Sequence, residues 1–280
     1  MIAITGATGT VGREVARRLP AAHPCMLLTR SPEKTGGIRP GAAAVRADLN
    51  DRAGLAKLLA GVTALFVVTC DPFRPQDENL VEAAQEAGVR RLVKLSALAV
   101  ADPGADDLIT GWHRASEERI RTSELAWTIL RPRAFMSNTL AWARSVKSER
   151  TVRAFQGAAR NACVDPADIA DAAVRALTGP GSAGRIIPLT GPEALSPREQ
   201  TAQLAAELGT PLRFEELTRD QVRAAWARHY PDPVVEALLQ SAQRQQAGAK
   251  SSVEQAPGEG EERPARTYRA WVREHRAAFL

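Results

Sequence analysis

Apolar residues occur alternately in short unbroken runs and in stripes spaced by three and four residues, and this alternation persists to about residue 190. The runs at 2–5, 26–29, 44–46, 64–68, 91–95, 127–130 and 186–189 predict seven strands. The stripes at 11–19, 53–59, 76–87, 112–122 and 168–177 predict amphipathic helices between them, with Gly88 placed to end the third in a left-handed turn. Strands that alternate with helices imply an α/β fold, a doubly wound parallel sheet covered by helices on both faces. Beyond Thr190-Gly191-Pro192 the pattern becomes helical without strands. It opens on Ser196-Pro197-Arg198-Glu199, a capping box with proline at the first helical position, and Thr218 to Gln221 repeats the cap. Two domains are therefore expected: 1–190, with contributions from the C-terminal helix, and a small, mostly helical lobe over 191–280 that serves substrate or partner. Residues 247–264, rich in Gly, Glu, Ser, Gln and Pro, are expected to form a mobile loop. Helical periodicity returns through Tyr268, Trp271, Val272, His275 and Phe279, which implies that the terminus docks back on the body.

The first run, Ile2-Ala3-Ile4-Thr5, passes directly into Gly6-Ala7-Thr8-Gly9-Thr10-Val11-Gly12 and then into a helix. Strand, glycine-rich turn and helix are the order that a dinucleotide site of the Rossmann type requires. Gly6 allows the tight turn, Gly9 lets backbone approach a pyrophosphate, and Gly12 lets helix pack on strand. Thr8, Thr10 and Val11 complete the turn, whose unpaired N–H groups face the anion. A flexible loop is the plainer reading, but its place at the first strand of an alternating pattern favours the dinucleotide.

A site selective for NAD places an acid about 20 residues beyond the glycines. Here the second strand ends in Leu28-Thr29-Arg30-Ser31-Pro32-Glu33-Lys34, with no acid at the strand end. Arg30 is placed to bond a ribose 2′-phosphate, with Ser31 and Lys34 as secondary partners, so NADP(H) is the expected cofactor. The alternative for Arg30 is a solvated surface side chain. Asp48, after the third strand, is placed either to bond the adenine amino group or to cap the following helix. Leu49, Thr69 and Pro132, at or just beyond strand ends, complete the expected cofactor contacts.

Composition narrows the classes. The chain has 280 residues and a formal charge of +5, with its basic residues scattered rather than clustered, so nucleic acid is not an expected partner. Cys25, Cys70 and Cys163 are too far apart for a metal or redox motif, and no metal is expected. No apolar stretch is long enough to span a bilayer, and a strand beginning at Ile2 leaves no room for a leader, so the expected location is the cytoplasm.

The opening G-A-T-G-T-V-G, Arg30, A-D-L at Ala47, L-S-A at Leu95, W-T-I-L-R-P at Trp127 and L-T-G-P-E at Leu189 resemble, in their order, the NmrA-like atypical short-chain dehydrogenases. The resemblance covers nearly the whole chain. It implies NADP(H) in a Rossmann fold and substrate choice through a C-terminal lobe. Some such proteins are quinone or natural-product reductases, and others are nonenzymatic sensors of cofactor redox state. Short-chain dehydrogenases use a tyrosine with a lysine four residues later. The only tyrosines here, Tyr230 and Tyr268, are followed at that spacing by Val234 and Val272, so the pair is absent.

The segment in its place is Trp112-His113-Arg114-Ala115-Ser116-Glu117, with His113 and Glu117 one helical turn apart. His113 is a candidate proton donor. Glu117 is a candidate to favour its charged form or to accept from a ribose hydroxyl, and an ordinary surface pair is the alternative. The resemblance places Ser96 as the active-site serine, a candidate to bond a substrate carbonyl, while turn chemistry also explains a serine at a strand end. It also implies that 131–138 lies across the nicotinamide. Phe135 and Met136 would then wall an apolar pocket with Trp142 and Phe155, joined by Asn138 and by Cys70, although such a stripe is usually core packing.

Two functions follow. The first is an NADPH-dependent reductase passing hydride to a carbonyl, enone or quinone of an apolar or aromatic small molecule, with bacterial secondary metabolism as its expected setting. The second is a noncatalytic NADP(H) sensor that reports to a partner protein, with an isomerase or dehydratase as a weaker third. A quinone would make the least demand on a proton donor.

Overall fold

A computed structural model describes residues 1–254 and 264–280. In chain order it begins β1 (Ile2–Thr5), α1 (Thr10–Arg18), β2 (Cys25–Thr29), β3 (Ala43–Arg46), α2 (Arg52–Leu58), β4 (Ala64–Val67), α3 (Gln76–Glu86) and β5 (Arg91–Leu95). It continues with α4 (Leu108–Arg121), β6 (Ala126–Pro132), α5 (Ala143–Glu149), β7 (Thr151–Phe155), α6 (Pro166–Thr178) and β8 (Arg185–Leu189). The last elements are α7 (Pro197–Leu208), β9 (Arg213–Leu217), α8 (Arg219–Trp226), α9 (Asp232–Gln246) and α10 (Tyr268–Glu274).

All seven expected strands form one sheet in the order β3-β2-β1-β4-β5-β6-β8. The pairs from β3 through β6 are parallel, with Ile2 opposite both Cys25 and Ala64. The order reverses between β1 and β4, which opens a crevice at the carboxyl ends of those two strands. Each of Ile2 to Thr5 is buried, as expected where helices cover both faces. Successive side chains on a strand point to opposite faces. Ala3, Leu28, Leu65, Val67 and Leu92 accordingly pack with Leu55 and Leu59 near α2, Leu80 and Val81 of α3 and Ile120 of α4. On the other face lie α1 and α6, which pack against each other.

The chain divides into two compact units. Unit 1 comprises 1–100, 112–131 and 166–187, and unit 2 comprises 101–111, 132–165 and 188–280. In unit 2 the expectation of helices alone is corrected, because β9 pairs in parallel with β7, Val152 opposite Phe214. Charged residues hid both strands. Arg153 bonds Glu215 across them at 2.9 Å, so exposed polar positions interrupt the apolar pattern that marks a buried strand.

The capping boxes form as expected at Ser196 and Thr218. The C-terminal helix docks on unit 2: Tyr268, Trp271, Val272 and Phe279 are buried with Leu204 and Leu208 of α7. Trp271 stacks between Tyr268 and His275. The expected loop at 247–264 falls outside the described residues over 255–263. In its first part, Lys250 O accepts from Ala162 N–H at 3.0 Å and Glu254 N–H donates to Thr190 Oγ1 at 3.1 Å.

Candidate functional site

Gly6 turns the chain out of β1 with φ +60, and a Cβ there would stand 3.0 Å from Val68 Cβ. Thr5, which no motif marks, ties the turn to the end of β4: its hydroxyl accepts from Val68 N–H at 2.7 Å and donates to Val68 O at 2.9 Å. Gly9 N–H donates to Gly6 O at 2.9 Å. A Cβ on Gly12 would lie only 2.3 Å from Gly6 O, so the helix approaches the turn as closely as glycine permits. Helix α1 starts after Gly9 with no side-chain cap and no acid in its first turn. The N–H groups of Thr10, Val11 and Gly12 therefore lack intrahelical acceptors, and the positive end of the helix dipole is uncompensated. Thr8, Gly9 and Thr10 are accessible, whereas Val11 and Gly12 are buried beneath them. A pyrophosphate fits this cradle in both shape and charge.

At the end of β2, Arg30 is exposed and its carbonyl accepts from Arg46 Nη1 at 2.6 Å. Arg46, absent from the expectations, ends β3 in register with Thr29 and stands beside Arg30 as a second cation. Pairing the ends of adjacent strands is the signal that finds it. Ser31 is held by its N–H to Thr29 Oγ1 at 3.1 Å, and Lys34 is exposed in the short 3-10 turn Pro32–Thr35. Asp48 does not cap the next helix. Its carboxylate accepts from the Asn50 N–H and side chain, and Asp51 is the cap, accepting from Gly54 N–H at 3.0 Å. Leu49 packs half-buried against the core cluster beneath α2 and α3.

Beyond β4, the Thr69 hydroxyl is locked. It donates to Asp77 Oδ1 and accepts from Lys94 Nζ, both at 2.9 Å, and Lys94 bonds Asp77 at 2.7 Å. Lys94 is fully buried, with its ammonium 5.4 Å from the centre of the Trp112 ring. A lysine within the apolar run 91–95 was the available signal, since a buried ammonium requires a counter-ion. Cys70 follows, exposed and free.

Ser96, expected as a substrate contact, is 4% exposed and gives its proton to Glu117 Oε1 at 2.5 Å. A hydroxyl has one proton, so this bond removes the donor role toward a carbonyl. Glu117 is also buried, and Arg131 grips both of its oxygens, at 2.9 and 2.5 Å. The structure thus corrects the surface-pair alternative: Glu117 belongs to an internal triad that fixes the end of β5, through Ser96, to the end of β6. The W-T-I-L-R-P segment includes Arg131 but gives it no partner, and it joins the triad only through the pairing of β5 with β6. His113 is half-buried, its ring 4.4 Å from that of Trp112.

In unit 2 the expected apolar pocket is corrected. Met136 is 1% exposed and packs with Trp142, Tyr268 and Trp271, whereas Phe155 belongs to a different cluster with Val222, Val235 and Leu239. Met136 thus fills a core, while Trp142 and Phe155, half-buried, pack against two different ones. Phe135 is half-buried and Asn138 exposed, and Pro132 is buried at the end of β6.

A doubly wound parallel sheet with an uncapped, glycine-lined helix start at its switch point defines a dinucleotide-binding protein. Residues 6–180 match the NAD(P)H-binding family. A (4-alkanoyl-5-oxo-2,5-dihydrofuran-3-yl)methyl phosphate reductase of Streptomyces griseus is 53% identical, covering 100% of this chain and 99% of its own. An NAD(P)H azoreductase of Xenophilus azovorans is 32% identical over 100% of this chain and 99% of its own. Among solved structures, the NADPH complex of an NADPH-dependent quinone oxidoreductase from Escherichia coli superposes with a TM-score of 0.80 at 26% identity, covering 99% of this chain and 100% of that one.

The chain belongs to the NAD(P)H-binding family, in the NmrA-like, atypical short-chain dehydrogenase class of Rossmann reductases. It is an NAD(P)H-dependent oxidoreductase. Among the described residues, no helix is long and apolar enough to cross a membrane, and no group of acidic, histidine or cysteine side chains is arranged to hold a metal ion.

Proposed function

We propose that the protein uses NADPH to reduce the ring double bond of a phosphorylated butenolide that carries an acyl group. Identity of 53% over the full length to a reductase of such a phosphate carries this reading. In a 4-alkanoyl-5-oxo-2,5-dihydrofuran the double bond is conjugated with both the lactone and the acyl carbonyl. The bound cofactor supplies a hydride to the ring carbon bearing the methyl phosphate. The displaced electron pair spreads over the two carbonyls as an enolate, and a proton then adds to the carbon between them.

So stabilised an enolate takes its proton from water, which accounts for a chain without the tyrosine and lysine pair. The protein's part is to hold and orient. The cradle from Gly6 to Gly12 takes the pyrophosphate, Arg30 with Arg46 takes the 2′-phosphate, and the Ser96–Glu117–Arg131 triad keeps the strand ends rigid.

Purified protein is to be mixed with NADPH and the butenolide phosphate, with a quinone and an azo dye as comparisons. The expected result is loss of NADPH absorbance matched by a product with two added hydrogen atoms. An inert butenolide beside rapid quinone reduction would reject the substrate class. Arg30→Asp is expected to weaken NADPH binding about 100-fold and NADH about threefold, since one charge-assisted partner of the 2′-phosphate is lost and a repulsion added. Equal losses for the two cofactors would remove Arg30 from the 2′-phosphate.

A further inference from the structure

We propose that Arg133 and Lys250 form a phosphomonoester site in unit 2 that holds the phosphate end of the substrate. The inference rests on the substrate class proposed above, and its geometry is independent of it.

Residues 161–164 run between two other segments. On one side Val164 N–H donates to Ala134 O and Met136 N–H to Val164 O, both at 2.9 Å, and on the other Ala162 N–H donates to Lys250 O at 3.0 Å. This pairing brings Arg133 and Lys250, distant in sequence, to either side of Cys163, whose thiol feels both charges.

A third cation, Arg244, is already neutralised, bonded to Asp107 at 2.5 Å and 3.8 Å from Asp102. Arg133 and Lys250 have no such partner, because neither lies within 4.0 Å of a carboxylate among the described residues. Glu254 acts on Arg133 only at longer range, and its carboxylate accepts instead from Ser252 Oγ at 3.1 Å. The Arg133 fork is correspondingly open. Nη2 donates to Ser252 Oγ at 3.1 Å, while the buried Nε has no acceptor among the described residues. Lys250 Nζ donates to Ser241 Oγ at 2.6 Å and keeps its other donors.

Burial, followed by the charges of Arg244 and Arg133, pushes the Lys250 ammonium down to about 8. Burial pushes the Cys163 thiol up to about 11, so it adds no competing negative charge near neutrality. Glu254 and Asp102 act on Arg133, and Asp107 on Lys250, only through space, so the donors of both side chains remain without a carboxylate in contact among the described residues. A phosphomonoester brings a charge of roughly −1.5 to −2 and three acceptor oxygens, which suits an arginine fork used bidentately beside a lysine. Both side chains are half-buried and reachable from solvent.

The test pairs binding with turnover. Benzyl phosphate and benzyl alcohol are titrated into NADP-loaded wild type, Arg133→Gln, Lys250→Gln and Arg133→Lys, and kinetics are run with the butenolide phosphate and its free alcohol. Each glutamine variant is expected to weaken benzyl phosphate about 10- to 100-fold and to raise KM for the phosphate ester by the same factor, with kcat held within about threefold. The alcohol and NADPH are expected to be unaffected, and Arg133→Lys to recover part of the loss.

Equal losses for ester and alcohol, or ester binding indifferent to both residues, would overturn the site. Turnover of the butenolide phosphate that ignores both variants overturns the site and leaves the proposed substrate standing. Binding of benzyl phosphate that depends on Arg133, in a protein inert toward the butenolide, supports the site and removes the substrate.

Discussion

Gly12→Ala is expected to weaken NADPH binding by at least about 100-fold and to cost about 1–3 kcal/mol of stability, the usual range for overpacking a tight contact. The new Cβ would meet Gly6 O at 2.3 Å, the Gly6 carbonyl carbon at 2.7 Å and Ala7 Cα at 3.1 Å, all of them backbone. Backbone cannot rotate out of the way as a side chain can, so α1 must withdraw by roughly 1 Å, and that is enough to spoil the geometry its N–H groups offer. Gly111→Ala is the control. Gly111 lies within α4, a Cβ there meets nothing within 4 Å, and its φ is not positive. That variant is expected to bind NADPH normally and to gain about 0.4–1 kcal/mol. Titration of NADPH fluorescence and urea unfolding measure both, and a Gly12→Ala protein that binds as wild type does would show that the helix start is not the phosphate cradle.

Asp77→Ala is expected to destabilise the protein by about 3–5 kcal/mol, because it leaves the ammonium of Lys94 buried without a counter-charge. Lys94 is 0% exposed, and Thr69 is its one other hydrogen-bond partner among the described residues. The double variant Lys94→Met with Asp77→Leu is expected to return most of the loss, since a buried ion pair replaced by apolar groups of similar size is often neutral. The readout is the urea midpoint at unchanged slope. A loss under about 1 kcal/mol for Asp77→Ala would mean that water or a shifted side chain solvates Lys94, and that the pair does not lock the end of β4.

The phosphate turn was legible residue by residue because its constraints are local. Gly6, Gly9 and Gly12 are each required by backbone geometry within a few positions, and strand and helix on either side show the periodicity of their class. The position of Arg30 at the end of β2 was legible for the same reason, and its part toward a 2′-phosphate belongs to the proposal. Ser96, Glu117 and Arg131 were not. A strand-end serine and a helical glutamate each had a plausible role alone. Only the register of β5 on β6 and the packing of α4 bring Arg131 onto Glu117 and commit the serine's proton to it. Met136 and Phe155 misled in the same way, because an apolar stripe reports burial without saying which core will receive it.

Strand and helix order, the parallel sheet, the glycine cradle and the basic end of β2 follow from periodicity and from backbone conformations that few residues allow, and all were readable before any neighbour was known. Tertiary structure alone decided which charges meet. Lys94 found Asp77, Arg131 found Glu117, and Arg133 came near Lys250 with no carboxylate in contact with either among the described residues. The physical reason is range. Propensity and patterning act over a few residues, whereas an ion pair or a charged site is set by which strands and loops become neighbours, and no stretch of one element records its neighbour's side chains.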